Sequence, residues 1–188
     1  MKRLLITTLT LLVATIFAAA IPTEAEAAIF EDTVRLHILA ASDSREDQEL
    51  KLALRDAVLE KYGKSLSVFE SAGDAKESLK ERIDEIEKFV NAWLLKNGSP
   101  YEANITLSEE WYETRDYGDF TLPKGYYTSL RIIIGEGEGQ NWWCVMFPPL
   151  CLDAATESNA YTSEETLLIT KRYTLKFKFL ELISEITK

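Results

Sequence analysis

The sequence predicts a single α+β domain: a mainly antiparallel sheet covered by about three helices, following an N-terminal export segment. Three observations point there. Apolar residues alternate with a period of two in 34–40, 101–107, 125–134 and 141–147. Between 45 and 97, and again after 175, they recur at three and four residues, the spacing of a helix face. The 188 residues are 46% hydrophobic and 11% aromatic, enough to bury one core without requiring a second.

Lys2 and Arg3 precede an apolar run from Leu4 to Ala20, and Ala25-Glu26-Ala27 fits an A-x-A cleavage site. Residues 1–28 therefore read as a signal peptide, with a short uncleaved membrane anchor as the alternative, and 29–188 as the domain. The run is short for a span and interrupted by Thr7, Thr8, Thr10 and Thr15. Cleavage removes Lys2 and Arg3 together with Glu24 and Glu26, so the formal charge of −10 belongs to the domain itself. That acidity excludes a nucleic-acid surface and simple docking to anionic lipid.

Val34 to Ala40 reads as a strand with Val34, Leu36, Ile38 and Ala40 on one face and Arg35, His37 and Leu39 on the other. Ser42, Asp43 and Ser44 then supply acceptors for a helix start, with Asp47 three residues after Ser44 as in a capping box. The helix carries Leu50, Leu54, Ala57 and Val58 and stops near Gly63, with Arg55 and Asp56 as an ion pair on its surface. A second helix runs from about Asp74 to Lys96 with Leu79, Ile83, Ile86, Val90 and Trp93 on its core face.

Tyr101–Leu107, Gly125–Ile134 and Asn141–Phe147 follow as strands, the last two as a hairpin joined by Gly135-Glu136-Gly137-Glu138-Gly139. Ser108 to Lys124 reads as an irregular excursion. A last helix has Leu175, Phe179, Leu182, Ile183 and Ile186 along one side.

Motifs for chemistry are scarce. The three glycines are not spaced as GxGxxG, and Glu136 and Glu138 would repel a phosphate. There is no HExxH and no G-x-S-x-G, and the chain has one histidine, so a Ser-His or Cys-His hydrolase has to use His37. Zinc has only Cys144, Cys151 and His37 as soft ligands, short of a structural set, and no cofactor is expected. In an exported chain Cys144 and Cys151, bracketing Pro148 and Pro149, most simply form a disulfide, worth about 2.5 kcal/mol by loop entropy. Trp142 and Trp143 face opposite sides of their strand, so one is expected in the core and the other, with Pro148 and Pro149, on an exposed aromatic patch.

Two segments, RLHILAASDSREDQELKLALRDAVL from Arg35 and GEGEGQNWWCVMFPPLC from Gly135, resemble the stage II sporulation protein R family of endospore-forming bacteria. The resemblance implies a protein made in the forespore and exported into the space between the two membranes around it. There it would activate a membrane-embedded aspartic protease, which processes the precursor of a mother-cell sigma factor. On this reading the chain is not an enzyme. Its partner surface is sought at Glu136, Glu138, Gln140, Asn141, Trp142, Trp143, Pro148 and Pro149, while Arg35, His37, Ser42, Asp43, Ser44, Arg55 and Asp56 are family-motif positions with structural roles. The rival to that surface is the charged face of the helix from Asp74 to Lys96. The alternative function is a small exported hydrolase using His37 with Cys144 or a serine.

Overall fold

The fold is built on β1 (Val34–Leu39), a strand whose odd and even positions are both buried and which is therefore flanked on both edges. A computed structural model describes residues 2–20, 24–117 and 121–150. Helices α1 (Lys2–Ala20) and α2 (Glu24–Glu31) lead into β1. Then come α3 (Arg45–Val58), a wide π-helical turn at Leu59–Gly63, α4 (Lys64–Leu66), α5 (Ala72–Glu81) and α6 (Ile83–Lys96). Strands β2 (Ala103–Tyr112), β3 (Arg115–Asp116), β4 (Thr121–Leu122), β5 (Gly125–Ile134) and β6 (Asn141–Phe147) complete the described part.

The main sheet has the order β2-β5-β1-β6, and β3 pairs with β4 as a separate ribbon. β1 runs parallel to β5 and antiparallel to β6, while β2 and β5 are antiparallel. The sheet is thus mainly antiparallel, but β5 and β6 do not form the expected hairpin. β1, roughly a hundred residues earlier in the chain, lies between them, with His37 paired to Arg131 on one side and to Trp143 on the other.

Helices α3, α5 and α6 cover one face. Leu54, Val58, Leu79, Ile86, Val90 and Leu94 pack there against Leu36, Ile38, Ile105, Leu130 and Ile132. The single helix expected from Asp74 to Lys96 is two, broken at Arg82, where φ −103° and ψ 9° leave the helical region. The break re-aims the chain so that Ile86, Val90 and Leu94 carry the buried stripe of α6, with Ile83 and Trp93 only half-buried. Around the break, Arg82 holds Glu85 at 3.1 Å and lies over the Tyr62 ring at 5.0 Å. The helix expected to stop near Gly63 instead widens there and continues to Leu66.

β2 is longer than expected, since Ser108 to Tyr112 continue its pairing with β5. Part of the expected excursion is therefore sheet. On the face away from α3, α5 and α6 a second cluster, Ile29 of α2 with Tyr112, Leu122, Tyr127 and Val145, covers one end. Ile29 is fully buried and Phe30 meets Tyr127 edge-on at 5.1 Å, so α2 packs onto this cluster. Among the described residues no helix is long and apolar enough to cross a membrane. Cys151 and the expected helix through Leu175, Phe179, Leu182, Ile183 and Ile186 lie outside the described residues.

Candidate functional site

The sequence segments Arg35–Leu59 and Gly135–Cys151 meet in space. β1 pairs with β6 along its length, and the loop leaving β5 has to cross the end of β1 to reach β6. It crosses where β1 turns into Ser42-Asp43-Ser44. There the Gly139 N–H donates to Ala40 O at 2.9 Å and the Gln140 N–H to Asp43 Oδ1 at 2.8 Å. Lys51 of α3, buried, donates from Nζ to Gln140 O at 2.8 Å, and burial lowers its amine despite the nearby Asp43 charge.

Glycine is needed at two of these positions for different reasons. Gly137 has φ +69°, and a Cβ on Gly139 would stand 2.2 Å from the Ser42 carbonyl oxygen. The segment expected as a hairpin connection is packed onto a turn, with the carboxylates of exposed Glu136 and Glu138 at its tip.

The turn itself differs from a reciprocal capping box. Ser44 accepts from the Asp47 N–H as expected, but Asp47 takes the Ser42 hydroxyl at 2.5 Å, and Asp43 is spent on the glycine loop. Arg55 pairs with Asp56 at 2.7 Å and also lies 5.0 Å over the Trp142 ring.

The two tryptophans do face opposite sides, but neither is exposed: both are half-buried. Trp142 packs under the helices and Trp143 on the other face, where it stacks on His37 at 5.4 Å with Arg115 at 3.8 Å over its ring. Pro148 is buried behind a cis bond and Pro149 half-buried, so the expected exposed aromatic and proline patch is not displayed.

On the face away from α3, α5 and α6 a polar cluster forms around His37. Its Nδ1 lies 3.1 Å from Glu110 Oε2 and its Nε2 2.9 Å from Asn141 Oδ1. Glu110 also receives the Tyr112 hydroxyl at 3.0 Å and pairs with Arg131 Nε at 3.3 Å. Burial pushes the Glu110 carboxyl upward, but the hydrogen bond and charge of His37, then Ser129 and Tyr112, outweigh it and hold it at about 2. Glu110 is therefore an ionised acceptor, and the imidazole donates to it from Nδ1.

Arg35, fully buried, sits 3.8 Å from the Tyr112 ring centre and 5.1 Å from that of Tyr127, and donates from Nη2 to the Tyr117 hydroxyl. Sequence reasoning missed Glu110, Tyr112, Arg115, Tyr117, Ser129 and Arg131. Arg131, a cation inside the otherwise apolar run of β5, was the one local signal.

A His37 and Cys144 dyad does not assemble. Cys144 pairs with Leu36 and is buried on the helix-covered face, whereas His37 points to the other. Ser129 bonds the Tyr112 hydroxyl at 2.8 Å, and among the described residues no serine hydroxyl bonds His37. Among those residues no group of three or more His, Cys, Asp or Glu is placed to hold a metal ion.

Fold and site together define an α+β protein with a rigid glycine-loop pole and a polar, aromatic sheet face. The family model described as stage II sporulation protein R matches residues 30–157, which include both motifs, and the chain belongs to that family. A relative named stage II sporulation protein R, from Bacillus subtilis (strain 168), is 32% identical over 146 residues, covering 78% of this chain and 65% of the relative. The chain thus spans about 65% of that relative's length. No solved structure matches.

Proposed function

We propose that this chain is an exported signalling protein of sporulation that acts by binding. Its target is a membrane-embedded aspartic protease, engaged at its extracytoplasmic face from the space between forespore and mother cell. Activation of that protease leads to processing of a mother-cell sigma-factor precursor. Family membership supports the sporulation role. The N-terminal pattern of cations, apolar run and small residues supports export.

The observation that carries the binding mode is the welding of the glycine loop onto the Ser42–Ser44 turn. A loop fixed by bonds to Ala40, Asp43 and Lys51 presents Glu136 and Glu138 in one geometry, which lowers the ordering cost of association. Two exposed carboxylates there can steer a basic patch of the partner toward the pole.

The test is co-expression of secreted chain, protease and precursor in a non-sporulating host, scored for precursor cleavage. The parent chain should support cleavage. The paired change Glu136→Lys with Glu138→Lys should weaken it while thermal unfolding stays nearly unchanged, since both side chains are exposed. No cleavage with the parent chain would overturn the functional reading. Full cleavage with the paired variant would move the interface elsewhere.

A further inference from the structure

Among the described residues, the sheet face away from α3, α5 and α6 gathers three arginines. Against a formal net charge of −10, Arg35 lies there against Tyr112, Arg115 over Trp143, and Arg131 pairs with the half-buried carboxylate of Glu110. Glu110 has little capacity left: Oε1 serves Arg131 at 3.3 Å and His37 at 3.4 Å, and Oε2 serves His37 at 3.1 Å and the Tyr112 hydroxyl at 3.0 Å.

The shortage shows in the guanidinium groups. Nε and Nη1 of Arg35 are buried with no hydrogen-bond partner among the described residues, and Nε of Arg131 is buried with only its 3.3 Å ion pair to Glu110 Oε1. Tyrosine rings offset part of the Arg35 charge through their faces, yet a ring face is no in-plane acceptor for an Nε–H. Arg131 remains reachable, its side chain 36% exposed, with exposed Thr106 paired to it on β2 and exposed Asn141 on the far side of His37. Trp143, held between Arg115 and His37, forms a flat and rigid wall.

We propose that this face binds a carboxylate carried by an acidic segment of a partner protein. Arg131 is the direct contact, Asn141 and Thr106 add neutral hydrogen bonds at the rim, and Arg35 contributes its charge from behind Tyr112. An extended polyanion such as nucleic acid is repelled by the chain's overall charge, whereas one or two carboxylates meet only the local field. The partner then offers acidic groups to this face and basic ones to the loop bearing Glu136 and Glu138, a pairing that fixes orientation.

The inference stands on this face's geometry and does not depend on which protein is the partner. It is tested on the full chain with an acetylated, amidated hexaglutamate peptide and its hexaglutamine counterpart, following the arginine Nε–H resonances and the dissociation constant. The acidic peptide should move the Arg131 resonance and the glutamine peptide should not. Arg131→Gln should weaken binding by about tenfold or more, the loss of one charge-assisted contact, and Arg131→Lys should recover part of it. Glu136→Lys with Glu138→Lys should not weaken it. Equal shifts with both peptides, no shift at millimolar peptide, or parent-like binding by Arg131→Gln would overturn the proposal.

Discussion

His37 carries two neighbours that no local pattern announces: Glu110, 73 residues later, and Asn141, 104 residues later. The carboxylate is the informative partner, because its acidity links the cluster to pH. Glu110 is held at about 2 against an ordinary 4.5, so its folded-state pKa is depressed. A depressed carboxyl contributes stability that is complete above its unfolded value and is lost as pH falls toward the folded one. Between about pH 5 and pH 2 the parent should lose on the order of 1–2 kcal/mol, after solvent screening, that Glu110→Gln does not lose. Denaturant unfolding at several pH values checks this, and parallel pH profiles for parent and variant would contradict it.

The sequence did expose which strand face His37 occupies, since alternation along β1 is strict. It hid Glu110, because that residue sits where apolar periodicity fades and strand pairing is set by β5 rather than by local pattern.

Among the elements, β1 decides most of the arrangement. Sequence neighbours β5 and β6, joined by a glycine-rich stretch, carry the signature of a hairpin, and local pattern has no means of inserting a distant strand between them. That insertion explains the glycines. Crossing β1 spans two interstrand gaps, roughly 10 Å, directly over the chain leaving β1, so backbone must pass close to backbone. Gly139→Ala should therefore destabilise by about 1–3 kcal/mol, because the added Cβ meets the Ser42 carbonyl rather than a side chain that can move. Thermal unfolding measures this, and an unchanged midpoint would show the crossing to be looser than described.

β6 also carries Cys144, and we propose Cys151 as its disulfide partner. Mass spectrometry of non-reduced protein from its native compartment should find one bridged peptide, and two freely alkylated thiols would contradict it. The helix break at Arg82 was not legible either. The apolar spacing from Leu79 to Val90 continues through it, while tertiary contacts with Tyr62 and Glu85 reset the backbone.

At the scale of the molecule, fold class, most element types and the family carried by the two motif segments were readable from the sequence, because periodicity and long motifs are local properties. The surfaces were not. Trp142, Trp143 and Pro148, expected to include an exposed patch, are half-buried or buried, since β6 packs on both faces at that point. Among the described residues the displayed surfaces include the acidic loop tip at one pole, the charged outer face of α6 and the sheet face bearing Arg131.

The most direct test replaces Glu138 with a photoreactive phenylalanine, and separately Leu95, which is 77% exposed on α6, in cells co-expressing the membrane-embedded protease. Irradiation should give a covalent adduct with the protease from position 138 and none from position 95. An adduct from position 95 with none from position 138 would contradict the glycine-loop pole as the docking surface and place contact on the helical face.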